Sequence, residues 1–143
     1  MAEESGAPDL AEHVEIVRGQ FEATNRRDFT TAMDAYAEEV VLVVAPDLAP
    51  LNAGTFRGRE AVGDWFGDWF RSFAGDYRFD IEEAFAVAER VFVFARHHGR
   101  GRASGVALDW SVFYVYTVRA GKVTRVEMYA DRADALEAVD PAG

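Results

Sequence analysis

The chain has 143 residues, half of them hydrophobic and 13% aromatic, with a formal net charge of -10 and no cysteine. That length suits one domain with its own buried core. The acidity opposes binding to phosphate backbones, which takes clustered Lys and Arg, and apolar runs such as VVLVVA fall far short of the ~20 residues of a membrane span.

Without cysteine there is no disulfide framework and no thiolate site, which points to a reducing cytoplasm, and the acidic start MAEESGAPDLAEH lacks the basic and apolar regions of a signal peptide. Residues 1–9 lack periodicity and read as a flexible tail, leaving a single domain over 10–143. Leu10, Val14, Val17 and Phe21 then recur at helical spacing behind a capping Asp9. Asp28 caps a second helix, FTTAMDAYA, with Phe29, Ala32, Met33 and Tyr36 on one face. The segment EVVLVVAPDLAPLNAGTFRG reads as a strand, an irregular loop around Asp47 and a short strand.

Helical spacing returns in REAVGDWFGDWFRSFAG, with Val62, Phe66, Trp69 and Phe73 apolar, Trp65 beside them, and Gly63 and Gly67 weakening the helix. Four long strand segments follow, YRFDIEEAFAVA, RVFVFARHHGRGR, GVALDWSVFYVYTV and KVTRVEMYA, broken at ER, ASG and RAGK. A last helix, DRADALEAV, is capped by Asp131. Helices first and a meander afterwards predict an α+β domain with helices segregated to one face of a curved antiparallel sheet.

In that order, the stretches ATNRRDFTTAMDAYAEEVVL, TFRGREAVGDWF, GRGRASGV and YTVRAGKVTRVEMYADRADALEA resemble the SnoaL-like group of the nuclear transport factor 2 and ketosteroid isomerase superfamily, over Leu10 to Val139. The resemblance implies a conical half-barrel, commonly dimeric, whose concave sheet and covering helices enclose a ligand cavity. Function varies across that superfamily, from isomerases, cyclases, hydrolases and dehydratases to members with no catalysis. Of the isomerase's three polar roles the resemblance carries over one, as Tyr114, and the general base is absent. The isomerase's general-base aspartate falls on Val44 or Ala45, its oxyanion tyrosine near Gln20, and its protonated aspartic acid near Tyr114.

Side chains alternate across a strand, so hairpin register decides which groups face the cavity. A three-residue ASG loop pairs Arg102 with Val106 and sets His98 opposite Trp110, Arg96 opposite Val112, Phe94 opposite Tyr114 and Phe92 opposite Tyr116. A two-residue AG turn pairs Val118 with Val123 and continues the same face through Arg125, Glu127 and Tyr129. This reading turns Arg96 and His98 inward and leaves His97 and Asp109 outward on a flatter face suited to a homodimer contact. A one-residue slip in either loop reverses it.

On that register His98 is the acid–base group, Glu127 and Arg96 orient it, and Tyr114 stabilises negative charge. Tyr36, Trp65, Phe66, Trp69, Phe94, Trp110, Tyr116 and Tyr129 line the ligand site, with Asp47 at its mouth. A catalytic His98 requires that His98→Ala abolish turnover. No metal is expected, because His97 and His98 point to opposite faces and His13 stands alone on the first helix; no other cofactor is expected either. The resulting expectation is a cofactor-independent enzyme of isomerase, cyclase or hydrolase type acting on a small hydrophobic molecule. The alternatives are a non-catalytic ligand-binding or dimerisation module of the same fold, or a structural domain whose tryptophans fill the cavity.

Overall fold

The computed structural model describes residues 9–73, 75 and 77–141; residues 1–8 of the expected tail lie outside the described residues. Three helices and two strands come first in the chain, α1 (Leu10–Asn25), α2 (Phe29–Asp34), β1 (Tyr36–Val44), β2 (Gly54–Arg57) and α3 (Arg59–Arg71). Four strands and a helix follow, β3 (Arg78–Val87), β4 (Arg90–Arg100), β5 (Ala107–Arg119), β6 (Lys122–Tyr129) and α4 (Arg132–Val139). The strands form one curved, unclosed sheet in the order β2-β1-β6-β5-β4-β3. All neighbours are antiparallel except β1 and β6. Among the described residues no helix is long and apolar enough to cross a membrane.

Local chemistry explains the helix starts. The carboxylates of Asp9, Asp28 and Asp131 accept from the backbone N–H of Glu12, Thr31 and Ala133 at 3.0, 3.2 and 2.7 Å, satisfying donors that the first helical turn leaves open. Helix α2 is shorter than its apolar spacing predicts, since Tyr36 already begins β1. At the end of α1 the Asn25 amide mimics a strand partner. Its Nδ2 donates to the Phe79 carbonyl at 2.8 Å and its Oδ1 accepts from the Phe79 N–H at 2.9 Å, pinning the helix to the edge strand β3. The main core lies between α1–α3 and the concave sheet face, built on Val17, Phe21, Val40, Leu42, Val62, Val91, Val93, Val112 and Val126. A second cluster, Phe92 and Val115 with Ala135 and Val139, seats α4 on the opposite face.

Register corrects the assignment of faces. Strands β4 and β5 pair Arg96 with Ser111, His97 with Trp110, His98 with Asp109 and Arg100 with Ala107, one residue off the expected ladder. The cause lies at the C-terminus of α3, where the Arg102 N–H donates to the Ser72 carbonyl and its Nε to the Arg71 carbonyl, both at 3.0 Å, while Gly101 bridges Phe73. Those bonds peel the chain off β4 after Arg100 and make a six-residue connection, 101–106, in place of a three-residue loop. At the next hairpin the expected turn forms, with Ala120 and Gly121 both at positive φ and Val118 paired with Val123. Thr124 is then an extra residue, because Thr117 pairs with Arg125. This bulge sends Arg125, Glu127 and Tyr129 to the face opposite Tyr114.

Candidate ligand pocket and its hydrogen-bonded wall

A pocket of about 710 Å³, within the range of small-molecule sites, opens between the three N-terminal helices and the sheet. Helix α1 contributes Gln20, Phe21 and Thr24, and α2 contributes Phe29, Ala32 and Met33. One face of α3 supplies Gly63, Phe66, Gly67 and Phe70; the sheet supplies Tyr36, Phe79, Tyr114 and Tyr116. Arg59, Glu60, Asp64 and Arg71 also border it, and both carboxylates there are exposed. Glycines four residues apart keep the α3 wall low. A Cβ at Gly63 would stand 3.2 Å from the Met33 terminal methyl, and one at Gly67 would stand 3.4 Å from the Arg71 guanidinium.

The buried polar groups at the pocket are mainly phenols. Burial pushes Tyr36, Tyr114 and Tyr116 above the usual tyrosine range, so they remain neutral hydroxyls able to donate. The side chain of Gln20 donates to the Ala32 carbonyl at 3.0 Å, tying α1 to α2 above them. Arg59 donates to the Tyr36 carbonyl, and its Nε is buried with no partner among the described residues.

Behind Tyr114 stands His97, with no solvent exposure. Its Nε2 lies 2.9 Å from the Tyr114 hydroxyl and its Nδ1 is hydrogen-bonded to the Tyr77 hydroxyl, which in turn accepts from the Trp69 indole at 2.8 Å. Desolvation, with His98 nearby, pulls the His97 pKa down to about 3, so the ring is neutral through the physiological range. Trp110 and Phe79 enclose it at ring-centroid distances of 5.1 and 4.6 Å.

Of the residues singled out from sequence, Tyr36, Phe66, Tyr114 and Tyr116 border this pocket. Trp65, Trp69 and Trp110 instead pack together, Trp65 stacked on Trp69 at 5.1 Å and Trp69 6.3 Å from Trp110, and they do not border it. Asp47 lies exposed in the loop after β1, away from the pocket lining.

Seven residues expected inside stand on the opposite face, Phe92 and Arg125 among them. His98 sits between Asp80 and Asp109 at 3.0 and 3.5 Å, and Arg96 pairs with Asp109 at 3.1 Å. Glu127 accepts from Arg125 at 3.1 Å and from Tyr129 at 2.5 Å. Phe94 stacks on Phe113 at 5.0 Å. The same one-residue shift accounts for His98, Arg96 and Phe94, and the Thr124 bulge for Glu127 and Tyr129. His97, expected outward, points inward. The sequence reading did not assign Tyr77, Gln20, Met33 or Phe70 to the ligand site; the pair of glycines in an otherwise apolar helix was the available signal for an open wall.

Comparison with known structures agrees with this architecture. TerC co-crystallised with polyporic acid is 19% identical, with a TM-score of 0.74 over 90% of this chain and 97% of that one. A nuclear transport factor 2-like protein of unknown function from Burkholderia pseudomallei is 21% identical, with a TM-score of 0.74 over 90% of this chain and 98% of its own. A protein with a ketosteroid isomerase-like fold from Catenulispora acidiphila, in complex with trimethylamine, is 16% identical, with a TM-score of 0.69 over 87% and 92%. These likenesses show the fold. No curated protein matches the sequence. Residues 17–126, most of the chain, match the SnoaL-like domain, and the chain therefore belongs to the SnoaL-like domain family.

Proposed function

We propose that the protein is a cofactor-independent small-molecule enzyme, of isomerase, cyclase or hydrolase type, that binds a hydrophobic ring-bearing molecule between α1–α3 and the sheet. Tyr114 would donate a hydrogen bond to an oxygen where negative charge develops. The observation that carries this reading is an apolar pocket of about 710 Å³ with three buried, neutral phenols, Tyr36, Tyr114 and Tyr116, on its sheet side. Donors held in a dry site stabilise an oxyanion more than they would in water, because they need no reorganisation as charge appears. Phe21, Phe66, Phe70 and Phe79 supply flat contacts for a ring. Structural neighbours that hold small organic molecules, polyporic acid in TerC and trimethylamine in the Catenulispora protein, lend support at the level of the fold.

One specific observation favours non-catalytic binding as the second reading. The carboxylates bordering the pocket, Glu60 and Asp64, are exposed, and His97 is neutral and already bonded on both nitrogens, so among the described residues no buried general base stands ready at the pocket. A thermal-shift screen against hydrophobic metabolites followed by mass spectrometry separates the two, since a binder raises stability and returns its ligand unchanged. Conversion lost in Tyr114→Phe supports the enzyme. A bound ligand recovered intact supports the binder, and no stabilising ligand would sink both.

Two further features belong to this proposal. A second copy would pack on the outer face of β4 and β5 beside α4, where Phe94 and Phe113 stack next to the Arg96–Asp109 pair; sedimentation of wild type and Phe94→Asp tests it. A cytoplasmic location suits the absence of cysteine, and cell fractionation tests that.

A further inference from the structure

We infer that Trp69, Tyr77, His97 and Tyr114 form a one-way hydrogen-bond chain that delivers the Tyr114 O–H to the pocket as a donor. The pocket then selects ligands carrying an acceptor oxygen, a carbonyl or an oxyanion, over the matching alcohols. His97 is the positioning residue that fixes this polarity. The inference rests on reading the pocket as a ligand site.

The direction follows from counting protons. An indole N–H is a donor only, so the Tyr77 oxygen must accept from Trp69 at 2.8 Å. The remaining described partner of the Tyr77 hydroxyl is His97 Nδ1. Were Nδ1 protonated, the Tyr77 oxygen would accept twice and its own proton would be stranded in the interior, with the full desolvation cost of an unpaired donor. Both groups are satisfied when Tyr77 donates to a bare Nδ1.

Desolvation keeps the ring neutral, so its single proton is then on Nε2 and is donated to the Tyr114 oxygen at 2.9 Å. That bond occupies a lone pair of Tyr114 and turns its proton away from the histidine. Among the described residues nothing else accepts it, and Tyr114 borders the pocket. A ligand acceptor placed there meets a proton, whereas a ligand donor meets an oxygen already engaged. The other rings around His97, Trp110 and Phe79, offer it no competing acceptor.

Two measurements on the full chain test this. In long-range proton–nitrogen correlation spectra of protein labelled with ¹⁵N-histidine, one of the three histidines is expected as the Nε2–H tautomer with a bare Nδ1, its signals vanishing in His97→Phe. A protonated Nδ1 at His97 would overturn the inference whatever the pocket binds. Calorimetry with 1-tetralone, 1-tetralol and tetralin as probes reads the consequence. Wild type should favour the ketone over the alcohol about five- to tenfold, a preference that collapses in both Tyr114→Phe and His97→Phe while tetralin binding persists. A preference lost in Tyr114→Phe but kept in His97→Phe overturns the role of His97. Failure of all three probes to bind counts against the pocket as a ligand site, and the tautomer spectrum still decides the chain.

Discussion

His97 has no solvent exposure and hydrogen-bonds two phenols, whereas His98, its neighbour in β4, keeps 26% of its side chain in water between two half-exposed carboxylates. One residue type, one peptide bond apart, thus meets a dry aromatic interior on one side of the sheet and a solvated ionic patch on the other. The pleat alone produces the split, because successive side chains point to opposite faces. On the inner side the solvent is protein, so hydrogen bonds are few and directional. On the outer side Asp80 is shared between His98 and Arg78, and Asp109 between His98 and Arg96, so no single contact is indispensable. The contrast predicts that equal substitutions at the two positions have very unequal effects.

The largest difference is expected for a cation. His97→Lys would bury an ammonium among Tyr77, Phe79 and Trp110 with no carboxylate in contact, at a cost of about 3–5 kcal/mol, a large share of the roughly 5–15 kcal/mol that holds a single domain folded. His98→Lys places an ammonium between the half-exposed carboxylates of Asp80 and Asp109 and should shift stability by less than about 1 kcal/mol. Urea denaturation of the two variants reads the contrast directly, and similar midpoints would break it.

Acid titration sharpens the same comparison. The folded-state pKa of His97 lies at about 3, below the ordinary 6.5, so between those values the unfolded chain binds a proton that the folded chain refuses. The contribution of His97 is therefore complete above pH 6.5 and is lost as the pH drops toward 3, with a slope approaching ~1.4 kcal/mol per pH unit. His97→Phe should flatten this slope between pH 6 and about 4, while His98→Ala should leave it in place. An unchanged slope in His97→Phe would mean that the buried ring is not the group that resists protonation.

Binding extends the contrast along the same two faces. Tyr114→Phe should weaken a ketone ligand by about tenfold, the value of one hydrogen bond in a dry site, whereas Glu127→Gln on the outer face should leave ligand affinity unchanged. Isothermal titration with 1-tetralone measures both. A loss at Glu127 comparable to that at Tyr114 would show that the faces communicate.

Which of these residues could be placed from sequence depended on whether the deciding contacts were local. Helical spacing in α1 and α3, the three aspartate caps and the Ala120–Gly121 turn are all set within a few residues, and each was legible. The fold followed from their order. The faces of β4 and β6 were not legible, because each hinges on a single residue. Gly101 leaves the ladder when Arg102 bonds to the end of α3, some thirty positions earlier in the chain, and Thr124 bulges beside Thr117. Neither contact leaves a trace in periodicity, and with period-2 side chains a shift of one residue exchanges the whole inner and outer sets. Tyr114 and Tyr116 reached the inner face in either register, since the slip moved their partners and not themselves. The tryptophans failed as pocket markers for a different reason: rings of that size fill space against one another, and it is the absence of side chains at Gly63 and Gly67 that keeps the opposite wall open.

The smallest expected effect belongs to His98→Ala. The substitution removes one partner from a patch in which Arg96 still holds Asp109 at 3.1 Å and Arg78 still faces Asp80 at 3.6 Å. All of these charges are about half exposed, so water screens what is lost, and exposed pairs of this kind contribute at most about 1 kcal/mol. Ligand affinity and any turnover should match wild type, because the imidazole stands across the sheet from Tyr114. Loss of turnover in His98→Ala with an unchanged unfolding midpoint would return the proton-transfer role to the outer face, and would require that the reacting molecule bind over the Asp80–His98–Asp109 patch, away from the pocket between the helices.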